Sequence, residues 1–186
     1  RKWGPAGRGR FPLSTELLPL EDSKLLMADT NAALAQVEKA AAAGQLLPKA
    51  AENIRIWLEL PHYAEFRPRL LEDIDHGRWD ALNEAFRATI PFGTGGRRGR
   101  MYPIGTNVIN DRTIGESAQG LADYVKDHVT NTPLACAVAY DTRHRSRDFA
   151  ELCSEIMAAA GFTVYFLDGY RSTPELSFAV RHKNCA

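Results

Sequence analysis

The spacing of apolar residues changes once along this chain, and that change limits the folds open to it. From Asp29 to about Ala88 apolar residues recur at helical intervals. From Thr89 onward apolar runs alternate with helical segments, and Leu134–Tyr140 is nearly continuously apolar, as is typical of a strand buried on both faces. Strands that alternate with helices imply crossover connections on a mostly parallel sheet. The sequence therefore predicts an α/β domain preceded by a helical N-terminal extension.

Three segments follow from this pattern. Residues 1–26 are basic, rich in glycine and proline and aperiodic, so we expect a largely disordered leader. They have neither the apolar centre of a secretory signal nor the composition of a transit peptide. Residues 27–88 are the predicted helical extension, and residues 89–186 the predicted α/β domain.

Capping residues and prolines place the helices of the extension. Gly44 stands where a C-terminal cap belongs, and Pro48 suits the first turn of a second helix. Helices this short are marginal alone, so the bundle must pack against something, and the α/β domain is the expected support. The predicted helices are Asp29 or Thr30 to Ala43, Lys49–Leu60, Pro68 to near Gly77, and Trp79–Thr89.

The second half of the chain also contains residues that mark where helices begin and end. Asn110 or Asp111 can begin a helix that runs to about Val129, and Gly161 ends another. Ligands of such sheets gather beyond the carboxyl ends of the strands, so the D-T-R turn that follows Tyr140 is expected to lie at the edge of the sheet that holds the site. The remaining predicted elements are a short strand from Thr89, the helix Ser146–Ala160, the strand Phe162–Leu167 and a helix from Ser172 or Thr173.

Composition excludes several classes of function. The 23 basic and 23 acidic residues cancel, so no overall charge favours nucleic acid or a membrane surface. No apolar stretch reaches the length needed to span a bilayer, and the five histidines show no ligand spacing for a metal. Cys136, Cys153 and Cys185 lack C-x-x-C spacing, which favours a reduced, cytoplasmic setting.

The segment Phe92–Gly99, F-G-T-G-G-R-R-G, carries the clearest chemistry, and we call it the glycine loop. Glycines let backbone N–H groups converge on an anion, and guanidinium groups bind phosphate oxygens in pairs. A flexible turn with solvated arginines is the alternative interpretation. A dinucleotide fingerprint fails because Gly93, Gly95 and Arg98 do not give G-x-G-x-x-G, and a P-loop fails because no G-K-[ST] occurs.

Two later segments extend the pattern: A-C-A-V-A-Y-D-T-R-H-R-S-R-D-F-A-E-L from Ala135, and F-T-V-Y-F-L-D-G-Y-R-S-T-P-E-L-S-F-A-V-R-H from Phe162. With the glycine loop, they resemble the phosphohexomutases, the phosphoglucomutase and phosphomannomutase family, over roughly Ile90–Ala186. The resemblance implies a three-layer α/β/α first domain with a mixed, mostly parallel sheet. It also implies that a T-A-S-H-N-P loop carrying a phosphorylated serine follows Ala186, so no catalytic residue is expected within this chain.

The resemblance assigns phosphate or substrate binding to the glycine loop and the D-T-R turn. Arg98 is the principal candidate, and Arg97 is expected to be solvated. Arg143 has two interpretations: a position near the phosphoserine loop, or a structural ion pair with Asp141. The implied phosphate-binding residues are Thr94, Gly95, Gly96, Arg98 and Arg143.

The implied activity is transfer of a phosphoryl group between C1 and C6 of a hexose phosphate through a phosphoserine and a bisphosphate intermediate. The full-length enzyme would use Mg²⁺, for which this chain supplies no ligands, and its partners would be a phosphosugar and the remaining domains of the same enzyme. The chain alone is then expected to be inactive. The alternative is a non-catalytic helical interaction module carrying a vestigial phosphate-binding α/β domain.

Overall fold

A computed structural model describes residues 2–3, 20–93, 95–130 and 132–186, with residues 2–3 and 20–28 described by their backbone alone. They pack as two compact units, one of the described residues within 15–113 and one of those within 1–14 and 114–186. A 3₁₀ helix, Pro61–Phe66, lies between the second and third α-helices. The remaining elements are β1 Lys2–Trp3, α1 Leu20–Ala42, α2 Pro48–Glu59, α3 Arg67–Asp75, α4 Trp79–Phe86, β2 Phe92–Gly93, β3 Gly96–Arg97, α5 Asp111–His128, β4 Ala135–Tyr140, α6 Ser146–Ala159, β5 Thr163–Tyr170 and α7 Thr173–His182.

The four predicted helices of the extension are confirmed, and they enclose one apolar core. Trp57 is 1% exposed and meets Phe86 edge-on, with ring centroids 5.2 Å apart. Ile54 and Leu58 lie in the same cluster, which the helical spacing of α2 predicts. Gly44 follows α1 with φ +72°, so the predicted C-terminal cap is also confirmed.

The start of the first helix differs from the prediction. The helix α1 begins at Leu20 instead of Asp29 or Thr30, so the predicted leader of residues 1–26 ends in helical backbone. Lys2–Trp3 pairs antiparallel with β5, and residues 4–19 lie outside the described residues. Aspartate and threonine are strong N-cap residues, but here the helix continues through them.

The segment after the glycine loop packs into the core of the helical extension. Ile104 and Val108 are buried among the residues of α2, α3 and α4. Asn110 caps α5, as predicted: its Oδ1 accepts from the Thr113 N–H at 2.9 Å, and its own N–H donates to Thr113 Oγ1 at 3.1 Å. The glycine loop thus emerges from a unit that is otherwise helical.

The other unit is built on a small sheet in the order β1-β5-β4, in which β4 and β5 are parallel and β1 is antiparallel. The strands β4 and β5 and the helices α6 and α7 are confirmed, although β5 extends to Tyr170 instead of ending at Leu167. The prediction that β4 is buried on both faces is wrong. Only its end residues, Ala135 and Tyr140, are buried, and the four between them are partly exposed.

Side chains on the two faces of β5 contact different helices. Val164 is buried with Val125 of α5 and Met157 of α6. Its neighbour Tyr165 must point the opposite way along the strand, and the Lys183 ammonium at the end of α7 lies 5.3 Å from the centre of its ring. Of the helices in the described part of the chain, none has the length and apolar character needed to cross a membrane.

Candidate functional site

The glycine loop folds as a tight hairpin with an open cavity beside it. β2 and β3 pair antiparallel, with Phe92 opposite Arg97 and Gly93 opposite Gly96. The predicted short strand from Thr89 is therefore displaced into this hairpin, which Gly95 turns with φ +79°. Pro91, Gly93, Gly96 and Arg98 line a cavity of about 210 Å³. Because the glycines carry no Cβ, main-chain atoms form much of its wall.

The two adjacent arginines lie in different environments. Arg98 is exposed and lines the cavity, and its role in phosphate binding stays a prediction. Arg97 is half-buried, and its Nε and Nη1 atoms are out of contact with solvent. The expectation that Arg97 is solvated is therefore wrong. Arg97 ends β3 and Arg98 follows it, so the hairpin leaves one arginine partly buried and the other beside the cavity.

Hydrogen bonds fix the start of the loop to the helical extension. The Ile90 N–H donates to Thr106 O at 2.7 Å, and Thr106 Oγ1 donates to Ala88 O at 2.6 Å. Both Thr106 and Asn107 donate their N–H groups to Ala85 O at the end of α4, at 3.0 and 2.8 Å. The glycine-rich tip therefore projects from a base in which these main-chain N–H and C=O groups are hydrogen-bonded.

The D-T-R turn belongs to the other compact unit, where it lines a second cavity. This cavity is about 140 Å³ and opens at the carboxyl ends of β4 and β5. Arg143 Nε donates to Asp141 Oδ2 at 2.7 Å, and the Arg143 N–H donates to Asp141 Oδ1 at 3.1 Å. The structural ion pair foreseen for these residues is therefore present, with the Arg143 side chain 85% exposed.

The Asp141 carboxylate is stabilised in its charged form. The Arg143 N–H is the largest cause of its lowered pKa, and Ser146 and the Arg143 side chain add to the effect. The Asp141 carboxylate therefore places a negative charge beside Arg143, and this charge weakens the attraction of the cavity for an anion. Arg143 thus has a clear structural role, and a phosphate-binding role stays a prediction.

Sequence reasoning missed Arg171 in this second cavity. Its N–H donates to Tyr140 O at 2.9 Å, and its Nε donates to Asp168 O at 2.9 Å. Ser172 and Thr173 line the same cavity at the start of α7. Their position in the sequence could have identified them, because they directly follow the end of a parallel strand, as the D-T-R turn does.

The predicted site residues are thus only partly brought together. Gly96 and Arg98 line one cavity, Gly95 turns the same hairpin, and Arg143 lines the cavity of the other unit. Thr94 lies outside the described residues. No group of three or more His, Cys, Asp or Glu side chains able to hold a metal ion occurs in the part of the chain that the structure describes.

Comparison with known proteins relates the second half of the chain to one family. Residues 89–186 match α/β/α domain I of the phosphoglucomutase/phosphomannomutase family. The phosphoglucomutase of Staphylococcus haemolyticus (strain JCSC1435) is 39% identical over 99 residues, which are 53% of this chain and 18% of that protein. The phosphoglucomutase of Staphylococcus aureus (strain USA300) is 43% identical over 101 residues, which are 54% of this chain and 18% of that protein.

The matched part of the chain therefore spans less than a fifth of the length of these relatives, 18% in both cases. No solved structure matches the chain significantly. The matched residues include the glycine loop and the D-T-R turn, and they make up more than half of the chain. The chain belongs to the phosphoglucomutase/phosphomannomutase family.

Proposed function

We propose that this chain is the N-terminal part of a cytoplasmic phosphohexomutase that interconverts hexose 1-phosphate and hexose 6-phosphate. One observation carries the proposal: Arg98 and the glycine hairpin line an open cavity in a segment that belongs to the family. A guanidinium group beside exposed main-chain atoms is suited to a phosphate, which has several acceptor oxygens and a double negative charge.

The residues of this chain would bind and orient the phosphate and would not perform the transfer. Arg98 would donate two N–H groups to phosphate oxygens, and Gly93 and Gly96 would let the phosphate approach the backbone closely. By family resemblance, the phosphoryl group comes from a phosphoserine and passes through a bisphosphate intermediate. By the same resemblance, the transfer itself requires the serine of a T-A-S-H-N-P loop, so we assign phosphate binding and not the nucleophile to the residues described here.

The resemblance also implies Mg²⁺ in the full-length enzyme, where it would offset the charge of the transferred phosphoryl group. Among the described residues, no cluster of carboxylates, histidines or cysteines could hold a metal ion. By family resemblance, an acidic loop in a later part of the enzyme would bind it. The substrate would be a phosphosugar, and the partners would be the further domains of the same enzyme.

We further infer that residues 114–186 follow the three-layer α/β/α arrangement of the family's first domain. The support is the contact of Val164 with α5 and α6, and of Tyr165 with the end of α7. In that arrangement the carboxyl ends of β4 and β5 open toward the substrate, as ligand sites of α/β sheets do. Arg143 and Arg171 line the cavity at these strand ends, and we propose them as secondary contacts for the phosphosugar.

The proposal can be tested on the chain itself by titrating inorganic phosphate and glucose 1-phosphate into ¹⁵N-labelled protein. We expect the amide resonances of residues 92–99 to shift. Arg98→Ala should weaken binding by about tenfold or more, because a hydrogen bond to a charged group contributes roughly 1.5–3 kcal/mol. Arg98→Lys should recover only part of the affinity, since an ammonium group lacks the two-pronged geometry.

Arg100→Ala is the matched control, because Arg100 is exposed next to the loop and is not among the residues that line the cavity. An equal loss in Arg98→Ala and Arg100→Ala would mean that only the general positive charge attracts phosphate, and the assignment would fail. Extending the reading frame past Ala186 provides a second test: the proposal requires a T-A-S-H-N-P segment shortly after this residue.

A further inference from the structure

A fully buried carboxylate joins the helical extension to the segment that follows the glycine loop. Asp73 of α3 is 0% exposed. Its Oδ1 lies 2.6 Å from Arg78 Nη1 and 3.2 Å from Arg69 Nε. Its Oδ2 accepts from the Tyr102 hydroxyl at 2.5 Å. Of these three partners, Arg78 and Tyr102 donate hydrogen bonds and Arg69 forms an ion pair, and only Tyr102 lies beyond the glycine loop in the sequence.

The arrangement makes the Tyr102 hydroxyl a strong donor. A buried carboxylate must be paired and hydrogen-bonded, and a bond from a neutral hydroxyl to a charged oxygen is short and strong. Burial, followed by the bond to Asp73, raises the pKa of Tyr102, so its hydroxyl stays protonated at neutral pH. The Arg69 guanidinium also lies 5.8 Å from the centre of the Tyr102 ring, which holds the ring from a second side.

Tyr102 is joined to the glycine loop by main-chain hydrogen bonds. The Tyr102 N–H donates to Ile109 O at 3.3 Å, and the Ile109 N–H donates to Arg100 O at 2.8 Å. The end of the loop is thereby fixed at Arg100 and Tyr102, as its start is fixed at Ile90. Both ends of the glycine loop are thus held by the unit that contains the helical extension, and Arg98 lies between these ends in the sequence.

We propose that Asp73 and Tyr102 are positioning residues of the phosphate site, and that their hydrogen bond sets the placement of Arg98. This inference rests on the proposed function. It gives the helical extension a role in binding the phosphosugar: the extension supplies the rigid support for a loop whose glycines cannot hold their own conformation. The shared core and the buried carboxylate favour this role over a separate interaction module.

The test compares Tyr102→Phe with Tyr63→Phe in the complete chain. Both substitutions remove one hydroxyl from a half-buried tyrosine of the same unit, but only Tyr102 donates to Asp73. In Tyr102→Phe we expect inorganic phosphate to bind roughly three- to tenfold more weakly, as a partial loss of a charge-assisted hydrogen bond predicts. The amide resonances of the glycine loop should shift before phosphate is added. Tyr63→Phe should leave both unchanged.

The wild-type chain offers a second measurement, which does not require any variant to fold. Coupling between two sites is reciprocal, so phosphate binding at Arg98 should shift the ring resonances of ¹³C-labelled Tyr102 and leave those of Tyr63 in place. Unchanged Tyr102 resonances, or a Tyr102→Phe variant with wild-type phosphate affinity, would overturn the positioning role. If Arg98→Ala also binds phosphate as the wild type does, the proposed function fails as well; if Arg98→Ala loses binding, only the positioning role fails.

Discussion

Gly105 is the position where a single methyl group should disturb the support of the glycine loop most. Its φ is +111°, and an added Cβ would lie 2.5 Å from Ala85 O and 2.8 Å from Ala85 Cβ. Ala85 is fully buried, and its carbonyl oxygen accepts the N–H groups of Thr106 and Asn107. Neither side can therefore move without breaking these bonds. Backbone strain of about 1–3 kcal/mol and overpacking of about 1–3 kcal/mol together predict that Gly105→Ala lowers the free energy of unfolding by roughly 2–6 kcal/mol.

Urea unfolding followed by tryptophan fluorescence measures this effect, since the buried Trp57 reports on the same unit. Gly44→Ala is the matched control, because Gly44 has φ +72° but no atom within 4 Å of an added Cβ. Its cost should be limited to backbone strain, about 1–2 kcal/mol. The reasoning is refuted if Gly105→Ala costs no more than Gly44→Ala, because the contact with Ala85 would then carry no energy.

Two further predictions concern titrating groups. Partial burial raises the pKa of Cys136 and of Cys153 to about 11. At pH 8 iodoacetamide should therefore alkylate both roughly a hundredfold more slowly than in the urea-unfolded chain, as peptide mass spectrometry would measure. Equally rapid labelling in the native state would contradict the raised pKa. The pKa of Asp141 is lowered from 3.8, so its charge stabilises the fold above that value, and the benefit is lost as the pH falls through the lowered pKa. The wild type should accordingly be more stable than Asp141→Asn at pH 7 and lose this advantage in acid. A difference in unfolding free energy that does not change with pH would exclude the ionic contribution.

Elements with strong local signals were predictable from the sequence. Pro48 opens α2, Asn110 caps α5, and Gly161 follows α6 with φ +94°. Each of these residues acts through its own backbone conformation or a hydrogen bond to a residue close in sequence. Such effects depend little on tertiary packing, and so these helices occur where the sequence places them.

The corrections to β4 and to Arg97 depend on contacts distant in sequence. The exposure of β4 reflects what covers a sheet face, which apolar composition does not specify. The different environments of Arg97 and Arg98 follow from the β2–β3 hairpin, because pairing decides which side chain turns inward. The extension of α1 to Leu20 shows that favourable capping residues do not begin a helix when the preceding residues also adopt helical conformation.

Asp73 shows why the support of the site escaped sequence reasoning. An aspartate among charged neighbours on a short helix is normally solvated, and burial of such a group becomes favourable only when its donors are in place. Two partners, Arg69 and Arg78, are near in sequence, but the third is Tyr102, which lies beyond the glycine loop. The match to the family begins at residue 89, whereas the compact unit that holds the loop runs from residue 15 to residue 113. Helices outside the matched segment therefore hold the loop that carries Arg98. A domain boundary drawn at residue 89, where the sequence pattern changes, would separate this candidate phosphate-binding arginine from the residues that fix its position.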